Sequence, residues 1–443
     1  MPNRNSMPPT TTASHLPIQT VTSPGGITAW LVEDNMVPVV SLQFAFRGGT
    51  SLDPVEKTGL ANWVASTLDE GAGDLNAETF HQTLEDQSIY LSFSASRDEF
   101  CGGVKTLTEN ANEAWRLLNL ALTVPRFDAD EVARVKEQII SDIQHHYSDP
   151  QWVAHRTLNN TIFAGHPYHL PGQGFEHTVE NLTPDDLHTW ARERLGRDNL
   201  LVSVAGDITA EKLAPLLDQI FGALPSSAKL FKLPDVKLAA AGKTFVVHRD
   251  IPQTRVLMAQ NGIPRVDPGW YAATVMNYVL GGGGFNSRLM LEVREKRGLT
   301  YGVDTQLQHY DHANVMMTGA ATSNASAAEA IRLIRSEWQT MADGGITADE
   351  LQDAQTYLTG ALPLALTSTD KIADFILQLQ LEGLGTNYPA ERLAKLNAVT
   401  LADVARVAKR LLDEKSLTLI AVGAPENLTD AAPAPDPAMH RGT

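Results

Sequence analysis

The 443-residue chain contains one pattern twice, and this duplication constrains its fold more than any other feature of the sequence. Four anchors of the first half recur in the same order 214 to 219 residues later: Pro38 with Asp53 as Pro252 with Asp267, residues 127–132 as 346–351, residues 182–187 as 399–404, and residues 199–206 as 416–423. Four anchors in one order with so small a drift indicate a tandem duplication. We therefore predict two halves with the same fold.

Each half is predicted to combine strands and helices in an α+β fold. Residues 39–46 alternate apolar and polar side chains, which is the period of a strand with one buried face. Residues 59–68 show helical spacing, and a second helix is expected to start at Asp128, where acidic residues precede apolar ones at helical spacing. Residues 199–206 are almost all apolar and indicate a buried strand. We expect each half to form a mostly antiparallel sheet with helices packed on one face.

Composition shifts along the chain suggest where the halves begin and end. The predicted segments are a disordered N-terminal tail at 1–16, a first half at 17–224, a linker at 225–242, a second half at 243–424, and a disordered tail at 425–443. The linker and the C-terminal tail are assigned because proline, alanine and small polar residues dominate them.

Charge and hydropathy exclude several classes of function. The net charge is −17 with no concentration of Lys or Arg, so binding to nucleic acid is not expected. No apolar run reaches the roughly 18–20 residues that span a bilayer. The polar N-terminus has no apolar signal segment, so the chain is expected to be cytoplasmic as written. It would be periplasmic if a signal peptide had been removed before residue 1.

Cys101 is the only cysteine of the chain, which excludes an internal disulfide and a thiolate metal cluster. Its neighbours Phe100 and Gly102 are apolar or small. We therefore expect a buried, inert thiol and not a nucleophile.

The first half resembles the N-terminal signature of the pitrilysin, or insulin-degrading, family of zinc peptidases. The resemblance rests on residues 47–54, Arg-Gly-Gly-Thr-Ser-Leu-Asp-Pro, and on the Gly-Leu-Ala sequence at 59–61. In that family a helix after Gly-Leu-Ala carries His-x-x-Glu-His, in which both histidines bind zinc and the glutamate activates water.

At the matching positions this chain has Asn62, Ala65 and Ser66, and Asp142 stands where the family has its third ligand, a glutamate. Asparagine and serine are poor zinc ligands, and alanine provides no base. The resemblance thus implies that this chain binds no metal and has no cofactor of its own.

The remaining histidines do not restore a metal motif. The candidates are the adjacent pair His145 and His146, the pair His166 and His169 in a loop rich in Pro and Gly, and Glu176 with His177, where Gln173 replaces the first histidine. We expect these histidines to pack against neighbouring residues or to face solvent.

The second half resembles the C-terminal signature of the same family. Residues 281–289 combine four glycines with Ser-Arg-Leu, and Arg294 and Tyr301 follow seven residues apart. In the family this Arg and Tyr face the zinc across the cleft, bind the substrate backbone and stabilise the tetrahedral intermediate. Arg provides a planar donor fork and Tyr a directed hydroxyl, which suits charge developing on a carbonyl oxygen. Read alone, Arg294 fits a solvated charged face and Tyr301 a half-buried strand residue. The complete signature favours the functional interpretation.

Two further patterns allow alternatives. The glycine run lacks the Gly-Lys-Ser/Thr ending of a phosphate-binding loop, so a close backbone approach explains it better. Residues 88–97 alternate apolar and polar side chains. They fit either the family's edge strand, which binds peptides by adding a strand to the sheet, or an ordinary interior strand with one solvated face.

The resemblance spans residues 17 to 424, with the first signature degenerate and the second intact. This combination is similar to the two-subunit members of the family, such as mitochondrial processing peptidase and paired bacterial peptidases. It implies a bacterial non-zinc subunit, inactive alone, that contributes Arg294 and Tyr301 to the active site of a zinc-bearing homologous partner acting on peptides or unfolded segments. The alternatives are a non-enzymatic assembly or peptide-binding subunit, and a self-sufficient metallopeptidase with unrecognised ligands.

Overall fold

The computed structural model describes residues 16–438, so almost all of the N-terminal tail predicted at 1–16 lies outside the described residues. The elements of the first half are β1 (Gln19–Thr22), β2 (Thr28–Glu33), β3 (Val39–Arg47), α1 (Leu60–Ala65), α2 (Ala77–Asp86), β4 (Tyr90–Ala95), β5 (Glu99–Leu107), α3 (Ala111–Thr123), α4 (Ala129–His146), α5 (Pro150–Ile162), α6 (Glu176–Asn181), α7 (Pro184–Arg194), β6 (Leu200–Gly206) and α8 (Ala210–Phe221).

The second half repeats this order with small differences. Its elements are β7 (Thr244–His248), β8 (Gln253–Asn261), α9 (Trp270–Asn277), β9 (Thr300–Tyr310), β10 (Ala313–Ser323), α10 (Ala327–Gly344), α11 (Ala348–Ala365), α12 (Thr369–Leu381), α13 (Tyr388–Asn397), α14 (Leu401–Leu411), β11 (Thr418–Gly423) and β12 (Ala431–Pro433).

The two halves build equivalent six-stranded sheets. The strand orders are β1-β2-β6-β3-β5-β4 and β12-β7-β11-β8-β10-β9. The β2–β6, β7–β11 and β12–β7 pairs are parallel, and the other neighbours are antiparallel. The predicted tandem α+β architecture with mostly antiparallel sheets is confirmed.

Each sheet packs its own half's helices on one face. In the first half, Leu42 and Phe44 of β3 share a fully buried cluster with Trp63, Leu117 and Leu217 from three helices. Helix α4 follows the prediction closely, since it begins directly after Asp128 and buries the apolar positions of one face: Val132, Val135, Ile139 and Ile143. Burial of these stripes is the main source of stability for such helices.

The opposite face of each sheet is covered by one helix from the other half. Helix α12 packs on β3 and β6, where Ile372 and Ile376 contact Val32 and Ala205. Helix α5 packs on β8 and β11, where Leu158 joins a cluster of apolar strand residues: Val247, Leu257, Ile420 and Val422. The expectation of helices on one face is therefore true only of each half's own helices. The exchange is reciprocal, because α5 and α12 occupy equivalent places in the repeat: they start 219 residues apart, the same offset that relates residues 127–132 to 346–351.

The two segments predicted to lack structure differ from one another. Residues 225–242, all of them described, form neither helix nor strand. In the C-terminal tail, by contrast, Ala431–Pro433 pairs in parallel with β7, and both carboxylate oxygens of Asp436 accept hydrogen bonds from Arg249 at 2.7 and 2.9 Å. These contacts order a tail that its composition assigns to disorder; its last residues, 439–443, lie outside the described residues.

No helix within residues 16–438 has the length and apolar character needed to cross a membrane.

Candidate functional site

Helix α1, which matches the family's zinc-binding helix, is held by a buried aspartate and a close backbone approach. The carboxylate of Asp53 accepts hydrogen bonds from the amides of Gly59 and Ala61, each at 3.2 Å. Gly59 has φ +101°, and a Cβ there would lie 2.7 Å from the carbonyl oxygen of Gln173. Glycine is therefore required at this position, and the start of α1 is fixed against the loop that precedes α6.

The side chains at the three ligand positions, Asn62, Ser66 and Asp142, and at the base position, Ala65, do not form a zinc site. Asn62 is half-buried, Ala65 is buried, and the exposed Ser66 donates its hydroxyl to the Asn62 carbonyl oxygen at 3.0 Å. Asp142 is exposed on α4 and accepts from Gln138 Nε2 at 2.9 Å. Within residues 16–438, no three His, Cys, Asp or Glu side chains are grouped so that they could hold a metal. The residues present therefore do not fit zinc.

A lysine of α4, Lys136, packs on helix α1. The Lys136 ammonium lies 4.9 Å from the centroid of the Trp63 ring and donates to the carbonyl oxygens of Glu180 and Leu182 at 3.1 and 2.6 Å. Partial burial lowers the pKa of Lys136. A positive charge held against the helix that would carry the ligands opposes binding of a dication.

Three of the five histidines that might have replaced the missing ligands contact the backbone through a ring nitrogen. His166 is buried, donates from Nε2 to the Pro234 carbonyl oxygen at 3.0 Å, and accepts at Nδ1 from the Tyr168 amide at 3.2 Å. Nδ1 of His169 lies 2.7 Å from the His166 carbonyl oxygen, and Nδ1 of His145 lies 2.9 Å from that of Ser141. These contacts give the three histidines a structural role.

In the second half, the glycine run brings the chain against β9. Residues Tyr278–Gly282 form a π-helical turn, and a Cβ on Gly281 would lie 2.6 Å from Thr305 Oγ1. Arg288 then forms a two-pronged ion pair with Glu350 of α11, with both distances 2.7 Å. This pair ties the signature segment to the helices behind it.

Arg294 lies near the end of a second π-helical turn, Met290–Glu295. Its guanidinium carbon is 4.5 Å from the centroid of the exposed Phe285 ring, which is a cation–π distance. Nη1 lies 3.5 Å from the Glu295 carboxylate but has no hydrogen-bond partner among the described residues. One donor of Arg294 thus remains unused. Phe285, which supports it, carries no functional signal in the sequence beyond its position after four glycines.

Tyr301 is 86% exposed at the start of β9, the edge strand of the second sheet. The pairing of β9 with β10 shifts register between Ala320 and Thr322. At this bulge the Thr300 hydroxyl lies 2.7 Å from the Ala321 carbonyl oxygen and 3.1 Å from the Gly302 amide. The bulge turns the Tyr301 ring to solvent, and its hydroxyl makes no hydrogen bond within residues 16–438.

The structure brings Arg294 and Tyr301 onto one short stretch, separated by Gly298 with φ +64°. Within residues 16–438, no hydrogen bond, ion pair or ring contact joins the two side chains. Nor does such a contact join either of them to Asn62 or Asp142. The degenerate ligand and base positions and the Arg/Tyr pair are therefore separate sites in the described chain.

The strand at residues 88–97 proves to be an edge strand. β4 pairs only with β5 and ends the first sheet, with Leu91 buried and Tyr90 66% exposed. Of the two interpretations of its alternating pattern, the edge strand is confirmed.

Comparison with known families places both halves in one family. Residues 29–173 match the family described as Insulinase (Peptidase family M16), and residues 181–358 match the one described as Peptidase M16 inactive domain. The two matched segments together cover more than half of the chain.

Individual relatives extend the similarity over nearly the full length. A Helicobacter pylori protein named non-peptidase homolog YmxG is 26% identical, over 88% of this chain and 90% of its own. A probable mitochondrial-processing peptidase subunit beta of Schizosaccharomyces pombe is 23% identical, over 93% and 92%.

A solved structure supports the same assignment. The crystal structure of a peptidase M16 inactive domain from Pseudomonas fluorescens superposes with a TM-score of 0.86 and 25% identity, over 95% of this chain and 100% of that one. The chain belongs to peptidase family M16.

Proposed function

We propose that this chain is the non-zinc subunit of a two-subunit metallopeptidase. It contributes Arg294 and Tyr301 to the active site of a zinc-bearing homologous partner. The pair binds the peptide backbone and stabilises the negative charge that develops on the carbonyl oxygen under attack. The substrates are peptides or unfolded segments that can enter between the two subunits.

The observation that carries this proposal is the unused donor capacity of the pair. Nη1 of Arg294 is a buried nitrogen without a hydrogen-bond partner, and the Tyr301 hydroxyl makes no hydrogen bond within the described residues. Phe285 supports the guanidinium from one side without competing for its donors. The Tyr301 side chain is 86% exposed, so its hydroxyl can reach another molecule. Preorganised donors are what a site completed by a partner requires.

The first half also supports a complex in which the partner binds the zinc and this chain binds the substrate. Asn62, Ala65 and Ser66 offer no zinc donor set, and Lys136 holds a positive charge against the same helix. Zinc, which activates water and polarises the scissile carbonyl in this family, is therefore expected in the partner. The chain's own residues bind and orient the substrate.

The name of one relative agrees with a non-catalytic member of the family, and that of another agrees with an enzyme built from subunits. One is named a non-peptidase homolog, and another is named as a subunit of a processing peptidase. An arrangement in which one chain holds the metal and the other holds the Arg/Tyr pair accounts for both names.

The proposal is tested by substitutions at the pair in the assembled enzyme. Arg294→Ala and Tyr301→Phe are each expected to raise the barrier to peptide cleavage by the mixed complex by about 2–4 kcal/mol, since each removes a donor to the developing oxyanion. The measurement is kcat/KM on an unstructured fluorogenic peptide, with complex formation checked by size-exclusion chromatography.

The matched control is Arg297→Ala. Arg297 is exposed on the same segment but is paired with Glu292 at 2.7 Å, so its loss should leave cleavage unchanged. Full activity of a complex carrying both Arg294→Ala and Tyr301→Phe would exclude the proposed role of the pair.

A second candidate is a non-enzymatic peptide-binding subunit, and the observation that favours it is edge strand β4. Tyr90–Ala95 contains no proline and no charged residue, the two features that usually block the addition of a strand. An extended peptide could pair there by its backbone alone. This candidate predicts peptide binding that Ser92→Pro abolishes, with no cleavage in the presence of any zinc-bearing homologue.

A further inference from the structure

A cavity of about 460 Å³ lies where helices α4, α5 and α6 meet the C-terminal segment. Its walls are mostly apolar or aromatic: Tyr147, Trp152, Phe175, Pro435 and Pro437. Cavities of this size with apolar walls and a few polar groups are typical of small-ligand sites. The polar group that distinguishes this one is the guanidinium of Arg156.

Arg156 is a buried charge without a counter-ion. It is only 7% exposed, donates one hydrogen bond from Nη1 to the His169 carbonyl oxygen, and lies 5.6 Å from the centroid of the Phe175 ring. No carboxylate among residues 16–438 forms an ion pair with it. Burial, with a smaller contribution from Arg97, lowers its pKa to about 10. A buried guanidinium is costly unless an anion pairs with it.

The surroundings of Arg156 indicate which anion would fit. The planar donor fork of arginine matches a carboxylate through two parallel hydrogen bonds. Glu176 and Glu180 also border the cavity, and their charges disfavour a phosphate dianion. Trp152 and Phe175 provide an apolar surface for a group attached to the carboxylate. The ligand therefore combines a single negative charge with an apolar side chain.

We infer that this cavity binds the C-terminal end of a peptide, with the free α-carboxylate on Arg156 and an apolar C-terminal side chain against Trp152 and Phe175. The inference is independent of the proposed active site, because the cavity is formed within this chain. It gives the chain a way to hold a peptide by its end.

The first test uses wild-type protein and three probes in isothermal titration calorimetry. The probes are N-acetyl-phenylalanine, its amide, and N-acetyl-glutamic acid 1-amide, which moves the carboxylate to a polar side chain. N-acetyl-phenylalanine is expected to bind at least about tenfold more tightly than either of the others, because it alone offers both features. Equal binding of the acid and its amide, or tighter binding of the glutamate probe, would overturn the inference.

The second test asks whether the probe binds at Arg156. Arg156→Gln is expected to lose binding of N-acetyl-phenylalanine, whereas the control Arg192→Gln, at an exposed arginine of α7, should retain it. Asn160→Trp fills the cavity from an exposed position and should also abolish binding, so that a folding defect of Arg156→Gln would not leave the question open. Wild-type affinity in a folded Asn160→Trp variant would place the ligand elsewhere.

Discussion

Asp53 and Asp267 occupy the same place in the repeat but differ in how their charge is compensated. Both accept hydrogen bonds from amides at the start of a helix, Asp53 at α1 and Asp267 from Gly269 at α9. Asp53 is 6% exposed, and burial raises its pKa to about 7. Asp267 pairs with Arg410 at 2.9 Å, and that hydrogen bond lowers its pKa. Both halves thus keep an aspartate that accepts hydrogen bonds at the start of a helix, but only Asp267 forms an ion pair with an arginine.

This difference predicts a pH dependence of stability that Asp53→Asn removes. Folded Asp53 retains its proton up to a pH of about 7, whereas the unfolded chain releases it near the ordinary value of 3.8. The folded state therefore binds more protons in this window. The contribution of Asp53 to the free energy of unfolding therefore falls as pH rises from 3.8 to about 7, by at most about 4 kcal/mol.

Urea titrations between pH 4.5 and 7.5 measure this slope. Asp53→Asn should flatten it relative to wild type. The matched variant Asp267→Asn should not, because a lowered pKa shifts that residue's contribution to pH values below the window. An unchanged slope in Asp53→Asn would show that this carboxyl does not carry the dependence.

The role of Arg294 and Tyr301 stays a prediction. At the residue scale, the sequence suggested this pair and the absent ligands through its resemblance to the two signatures of the family. It could not reveal Arg156 as an unpaired charge, since the absence of a counter-ion depends on every residue that packs nearby. For the same reason it gave no sign that Lys136 lies on the Trp63 ring. Such contacts join helices that are distant in the chain and follow no sequence period.

At the scale of elements, the sequence predicted which faces are apolar but not what covers them. The stripe on α4 is buried as expected. The alternation in β3 predicts one buried face, but both faces of this strand are buried because α12 covers the second one. The packing of α5 and α12 on the sheet of the other half was not predicted. An apolar stripe must be buried, but it does not specify which sheet covers it. The π-helical turns were also missed, since the helical pattern does not separate them from an α-helix over six residues.

The packing of α12 on the first sheet can be tested through the reactivity of Cys101. This thiol on β5 packs with Leu377 and Leu381 of α12, and burial raises its pKa to about 12. It should react slowly with a disulfide reagent at pH 8. Leu377→Ala should accelerate the reaction about tenfold or more, since losing a buried leucine side chain costs about 2–5 kcal/mol and loosens this contact.

Leu158→Ala on α5 is the matched control. It removes an equally buried leucine from the other crossing helix, which packs on the second sheet. Cys101 should then react as slowly as in wild type. Equal acceleration in both variants would mean that the thiol reports global unfolding and not the docking of α12.

At the scale of the whole molecule, the repeat predicted two equivalent sheets, and the structure has them. The repeat could not show that each half provides the helix that covers the second face of the other half's sheet. The first sheet needs α12 to cover Val32 and Ala205, and the second needs α5 to cover Val247 and Leu257. Either half alone would expose an apolar face of its sheet.

The exchange of helices predicts that the two halves unfold together. Differential scanning calorimetry of the full chain should show one transition, with the calorimetric and van't Hoff enthalpies equal. Two separated transitions would indicate that the crossing helices contribute little and that the halves are independent domains.

The central claim is that this chain supplies half of an active site. The most direct measurement is cleavage of an unstructured peptide by the chain alone, by a zinc-bearing homologue alone, and by an equimolar mixture, with the zinc content of each determined. Cleavage should require the mixture, and the zinc should enter with the homologue. Zinc-dependent cleavage by the isolated chain, or a mixture no more active than the homologue alone, would contradict it.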